Sequence, residues 1–431
     1  MSRQRKHALG LAELIAVALG GMVGGGIFSI LGISVQNIGN ATPIAIAIGA
    51  FLAFLAAYSY VKLALYYQDE GATYSFFKKT FPDSHFAASV IGWLVVFGYI
   101  STLALYAFTF ASYLSALFPK DPQWLLRKIL AGSIITLFVL VNLFSVKGMG
   151  IIEDILVYTK LGILLVISGL LAGKGNLNYL LPVFDKSTSV LDIFIVASIT
   201  FVAYEGFQLV INAYREMKDP QKNVSKAIYS SIGIACILYI VLSLAALFAF
   251  PKELIIKHKE FALAAGASQV LGHFAFIVVI FGALLATSSA ISGTLFGSSR
   301  LMAVIAQDGY LPKLFSRRIK TYIPHYAIIV MGLIAFVLIL TGGLQSILEF
   351  GSITFIVVSF LMSVANLKIR KKTKTKSVYA IMAMTGLLGA LVLIFYYEFI
   401  SNRMQLLSIL LIYASLTVLA WLYAWMQNRK S

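Results

Sequence analysis

Three places in this 431-residue sequence put polar chemistry inside long apolar stretches. The first runs from Val17 to Phe28 and holds five glycines: Gly20, Gly21, Gly24, Gly25 and Gly26. Each glycine weakens a helix by about 1 kcal/mol relative to alanine. Backbone that leaves a helix inside a membrane must find other partners or line a polar cavity. A glycine cluster at mid-membrane depth therefore marks a discontinuous helix, whose amides and carbonyls are open to a small polar solute. Close packing of helices through small residues is the rival reading. The second place is Ile199 to Val210, where Gly206 again loosens the helix and Glu205 sets an acid beside it. A carboxylate on a lipid-facing surface is costly, so Glu205 should face protein or water. The third is Lys160, a lone lysine in an apolar stretch, which must be neutral, paired or snorkelling.

The elements that must position these residues are membrane helices. The chain is 60% hydrophobic and 12% charged, with mean hydropathy +0.90. No soluble domain hides that much apolar surface, so the sequence reads as an all-α polytopic membrane protein. With about 20 apolar residues needed per span, twelve transmembrane helices are expected: Leu11–Ile38, Pro43–Tyr67, Phe86–Leu117, Ile129–Val146, Ile151–Ala172, Leu191–Tyr214, Val224–Phe250, Phe274–Ala303, Tyr326–Leu340, Ile347–Leu367, Val378–Phe399 and Met404–Met426. The polar stretches between them are short, so residues 1–431 form one domain. The breaks fall in helices one and six, five helices apart. That spacing suggests two inverted repeats, 11–172 and 191–367, each opening with its interrupted helix, and two further helices over 378–426.

The formal charge of +17 invites a nucleic-acid reading, but the positions of the charges oppose it. With the N-terminus inside, 24 of the 34 Lys and Arg fall on the cytoplasmic side and 9 outside, Lys160 being within a helix. This is the positive-inside pattern, and it sets both termini in the cytoplasm of a multi-pass cytoplasmic-membrane protein. The cluster Lys368, Arg370, Lys371, Lys372, Lys374 and Lys376 then anchors topology beside anionic lipid, with no nucleic-acid partner. Cys236 stands alone, and the five histidines lack metal-ligand spacing, so no metal or cofactor is expected. No helix offers a nucleophile with its base, which argues against a membrane-embedded enzyme. No filter repeat or ring of pore charges suggests a channel.

With these residues in view, the chain resembles the amino acid–polyamine–organocation superfamily, in particular its prokaryotic amino acid permeases. Gly20-Gly21-Met22-Val23-Gly24-Gly25-Gly26-Ile27-Phe28 looks like the family's G-x-x-x-G-x-G-[IV]-F. Glu70 to Phe77 looks like its G-[GA]-x-Y segment, and Gly92-Trp93 opens helix three as in the family. Phe201 to Phe207, then Glu216, then Lys218 to Ile228 resemble the exit of helix six, and Ser298 to Pro312 resembles the end of helix eight. The sequence departs in lacking a proline near Tyr67-Gln68-Asp69-Glu70, in Ala72 for a second glycine, and in Glu205 where relatives are often apolar.

The resemblance implies a leucine-transporter-type 5+5 inverted repeat and secondary transport of amino acids by alternating access. A substrate carboxylate would sit on the amides of Gly24, Gly25 and Gly26, and its ammonium on carbonyls of Met22, Val202, Ala203 and Glu205. Sodium-coupled members of this fold hold a cation between helices one, five and eight. Lys160 is expected to replace it, reaching the Gly20 carbonyl and a hydroxyl of Ser288 or Ser289 and loading a proton. Transport would then be proton-coupled and sodium-independent, with an exchanger or a polyamine carrier as rivals. The remaining intramembrane polar groups are expected to be structural: Glu13 and Asp154 at helix starts, Glu349 as a solvated cap, Trp421 and Trp425 as an interfacial belt. Tyr99 and Tyr106 are candidates to line the pocket.

Overall fold

The computed structural model describes residues 9–69, 72–118, 123–144, 149–184, 188–318 and 323–429. Glu70, Val146 and the side chain of Asp154 lie outside what is described. Glycine sets the first interruption. Helix α1 (Leu11–Met22), with Glu13 in its first turn, gives out at Val23, and α2 (Gly26–Ile38) resumes after Gly25. Pro43, fixed in φ and lacking an amide, opens α3 (Thr42–Tyr67). A short amphipathic α4 (Ala72–Thr80) leads to α5 (His85–Ser115), whose Ser84 cap accepts the Ala87 amide. Then come α6 (Gln123–Phe144), α7 (Met149–Ala172) and the single turn α8 (Leu177–Leu180).

The second interruption follows α9 (Val190–Ile199), which begins in a Ser189/Asp192 capping box. A 3-10 turn over Phe201–Tyr204 and the single turn α10 (Leu209–Asn212) complete this segment, bent by 50° from α9. Pro220 opens α11 (Pro220–Ala249). Next are α12 (Lys252–Lys257), α13 (Ala262–Leu271), α14 (His273–Gln307), α15 (His325–Thr341), α16 (Leu344–Lys368) and the turn α17 (Arg370–Thr373). Helices α18 (Ser377–Ser401) and α19 (Arg403–Asn428) end the chain.

Among the described residues, eight helices are long and apolar enough to cross a membrane, or nine if the bent pair counts as one span. The 12-residue α1 and the 17-residue α15 fall short of that length on their own. Three boundaries differ from the sequence reading. Helix α6 starts six residues early, because Trp124, Leu125 and Leu126 continue the helix past Arg127 and Lys128. Helix α14, about 50 Å long at 1.5 Å per residue, runs on to Gln307. The polar stretch between helices seven and eight folds into α12 and α13, the second apolar and packed on α14.

Helix α5 is the hub. Its apolar window is 89% buried, against 17% for α6 and α19, and it packs on α14, α16, α6 and α19. The broken segments lie across each other, α1 against α10, α11, α7 and α14, and α2 against the 3-10 turn. On the outside, Leu137, Leu140, Val392, Leu411 and Trp421 are each more than two-fifths exposed. Apolar surface on this scale suits contact with lipid rather than water.

Candidate functional site

The two breaks meet back to back. Gly206 has φ +131°, a conformation L side chains rarely adopt, and a Cβ there would lie 2.7 Å from the Met22 amide nitrogen. Only glycine lets helix six's break touch helix one's backbone this closely. The freed backbone groups of the second break are satisfied by a neighbour: Ser352 of α16 donates to the Ile199 carbonyl at 2.5 Å and accepts the Val202 amide at 3.1 Å. Tyr204 fastens the turn to α3 through the Ile46 carbonyl at 2.8 Å. Side chains thus replace the lost helix ladder, as buried backbone in a membrane requires.

The carbonyls that end α1 each receive a long side chain. Gly21 accepts Tyr106 at 2.7 Å, and Met22 accepts Tyr239 at 2.7 Å. The same Tyr239 hydroxyl lies 3.2 Å from the Ala203 carbonyl, so one hydroxyl joins the two breaks. The Val202 carbonyl accepts the Glu205 amide at 3.0 Å. The first amides of α2 have no partner within their own helix. Gly24 abuts Ala290 and Tyr106 and Gly25 abuts Thr109, with no room for a Cβ, while Gly26 abuts Ala203 where a Cβ would fit only tightly, at 3.2 Å. All three are buried, and beside them Ser29 and Thr109 share a 2.5 Å hydrogen bond. These glycines therefore serve close packing as well as the break, and the walls of the site are shut against each other in this conformation.

Glu205 is 2% exposed. Its Oε2 accepts the Gln208 amide, while Oε1 accepts no hydrogen bond among the described residues. Gln208 in turn accepts Thr73 of α4 at 3.1 Å. Tyr60, Tyr99 and Tyr106 are the titratable groups near enough to interact with this carboxyl. Tyr99 itself packs edge-on against Phe355.

Lys160 does not snorkel: it is 0% exposed. Its Nζ donates to the Gly20 carbonyl at 3.2 Å and to Ser289 Oγ at 3.1 Å, bridging α7 to α1 and α14. Ser288, its neighbour, is partly exposed.

Glu349 corrects the sequence reading. It lies six residues into α16 rather than at its start and is 0% exposed, not a solvated cap. Tyr239, Thr109, Ser352 and Gln208 are the contributors that sequence reasoning passed over. A tyrosine in the middle of an apolar helix ordinarily reads as core, and no signal set Tyr239 apart.

Two interrupted apolar segments thus meet beside a buried lysine and a buried carboxyl, within a set of helices suited to a multi-pass membrane protein. The chain belongs to the amino acid permease family, whose model matches residues 9–423. It is 31% identical over 365 residues to the inner membrane transport protein YbaT of Escherichia coli, covering 84% of each chain. An uncharacterized protein of Methanocaldococcus jannaschii is 29% identical over 97% of this chain and 96% of its own. The b(0,+)-type amino acid transporter 1 of Mus musculus is 27% identical over 80% and 72%. Membrane transport of amino acids or related organic solutes follows from this membership.

Proposed function

We propose that the protein is a proton-coupled, sodium-independent secondary transporter of amino acids in the cytoplasmic membrane. It works by alternating access across twelve spans arranged as two inverted five-helix repeats plus two helices, with both termini cytoplasmic. The substrate carboxylate takes the amides of Gly24, Gly25 and Gly26. Its ammonium takes the Met22 and Ala203 carbonyls, displacing the Tyr239 hydroxyl that holds them. Binding then exchanges one donor for another, with the charged donor the stronger.

The observation that carries the reading is Lys160, fully buried and hydrogen-bonded to both Gly20 and Ser289. A protonated ammonium there ties α1 to the scaffold helices α7 and α14. A neutral amine leaves that junction weak, so a proton biases a two-state element. Helices one, two, six and seven would then rock against the rest. The test is uptake of a radiolabelled amino acid panel by proteoliposomes, with saturable uptake of at least one member expected. A second reading, a carrier of amines with additional positive charge, is favoured by the orphan Oε1 of Glu205. The same panel, extended to polyamines, separates the two.

A further inference from the structure

Two of the buried acids among the described residues lie outside the crossing of the broken helices. Glu349 of α16 and Glu398 of α18 are 0% and 1% exposed, on two helices packed together, with their carboxyls close enough to interact. The oxygens of Glu349 are held by amides: Oε1 by Gln345 at 2.8 Å and Oε2 by Gln405. Glu398 Oε2, by contrast, accepts no hydrogen bond among the described residues. Among the described residues no lysine, arginine or histidine forms an ion pair with either acid.

Among the described residues, none of the charged groups on the packed elements is bonded to the pair. Helices α3, α4, α5, α9, α15, α17 and α19 and the 3-10 turn pack on α16 or α18. Asp192 of α9 is a like charge, held in its own capping box. Arg403, at the start of α19, lies over the Phe399 ring and donates to the Phe399 carbonyl. Glu205, beyond the Ser352 junction, is bonded to Gln208. Lys62 of α3 donates to the Lys374 carbonyl, Lys78 and Lys79 of α4 pair with Asp308 and Asp69, and Arg370, Lys371 and Lys372 of α17 follow the opposite end of α16 from Glu349. Tyr397 and Tyr413 are the titratable hydroxyls; Tyr413 bonds Thr354 at 2.6 Å. Tyr397 accepts from Gln345 at 3.2 Å and donates to Asn37 at 3.3 Å, near the end of α2.

We propose that Glu349 and Glu398 share one proton and form a second proton-binding site, separate from Lys160, that latches the far end of α2 to α16, α18 and α19. Two carboxyls in contact and out of water cannot both be ionised without a counter-charge. One proton between them supplies a donor that the pair otherwise lacks. Removing it sets two like charges against each other and forces α16 and α18 apart. The Gln345–Tyr397–Asn37 chain carries that movement to the outer half of helix one.

The test uses the full-length protein and infrared spectroscopy of the protonated-carboxyl C=O band. At pH 7 the wild type should show a band that shifts in D2O. Because Glu205 is a third buried carboxyl, the variants are compared in a Glu205→Gln background, where the band should remain; adding Glu349→Gln or Glu398→Gln should remove it, since a glutamine keeps the hydrogen bond without the shared proton. The fall in unfolding midpoint from neutral to alkaline pH should be smaller in Glu398→Gln than in the wild type, because the pair's linked proton is gone. If one variant does not fold, the other and the wild-type titration decide. In the Glu205→Gln background, no protonated-carboxyl band at pH 7, or a band that survives both Glu349→Gln and Glu398→Gln, would overturn the proposal. Neither result depends on whether uptake is proton-driven, so this site and the transport reading fail separately.

Discussion

At the scale of single residues, Tyr239 is the most revealing side chain. Its hydroxyl spans the Met22 and Ala203 carbonyls, the groups proposed to meet the substrate ammonium. Tyr239→Phe removes a buried hydrogen bond worth about 1 kcal/mol, so the ligand-free protein should lose that much stability. Where an ammonium competes for the same carbonyls, substrate should bind up to roughly fivefold tighter. Calorimetric titration checks this, and weakened binding would mean that the hydroxyl is itself a ligand. Glu205→Gln addresses the other polar group of the site. If Oε1 awaits a positive side chain, the variant should shift preference from cationic toward neutral ligands in a thermal-shift panel. An unchanged profile would assign Glu205 to gating or structure. Glu205 was legible in the sequence because an acid at membrane depth is expensive wherever it points. Glu349 was misread because an acid close to a helix start resembles a cap. Its partner Glu398 lies on another helix, and only the packing of α16 on α18 brings the two together.

At the scale of elements, the end of the bundle near Leu9 is held by α4. Tyr74, 1% exposed, donates to Asp308 at 2.7 Å, and Lys78 pairs with the same oxygen at 2.8 Å. Burial and the Asp308 carboxylate both push the Tyr74 hydroxyl upward, so it remains a donor at any usable pH. The two partners should not weigh equally. A buried hydrogen bond to a charged group is worth about 1.5–3 kcal/mol. An ion pair with the lysine 39% exposed is worth about 1 kcal/mol or less. Tyr74→Phe should therefore destabilise the protein more than Lys78→Ala in denaturant unfolding, and the reverse order would contradict this ranking. Both helix breaks could be read from the sequence, since glycines inside an apolar run carry a large propensity cost. Helices α12 and α13 could not, because their stretch is short and mixed and folds by packing on α14 and α2. The early start of α6 was hidden by Arg127 and Lys128, which the helix carries at its edge; Arg127 pairs with Glu260.

At the scale of the whole molecule, the proposal reduces to one junction. Lys160 links α7 to α1 and α14, and on the proposed mechanism its charge state sets the strength of that link. The sequence put a lysine deep in an apolar helix, and that alone demanded a partner. Which partners it takes depends on three segments converging from positions 20, 160 and 289, a long-range arrangement that only the fold supplies. Lys160→Arg should stop cycling, because a guanidinium stays charged at usable pH. The most direct measurement is substrate uptake by proteoliposomes under an imposed pH gradient, with and without sodium, for wild type and Lys160→Ala. Gradient-driven accumulation without sodium in the wild type, lost in Lys160→Ala while some substrate binding survives, is the predicted result. A strict sodium requirement in the wild type, or full gradient-driven uptake in Lys160→Ala, would contradict it.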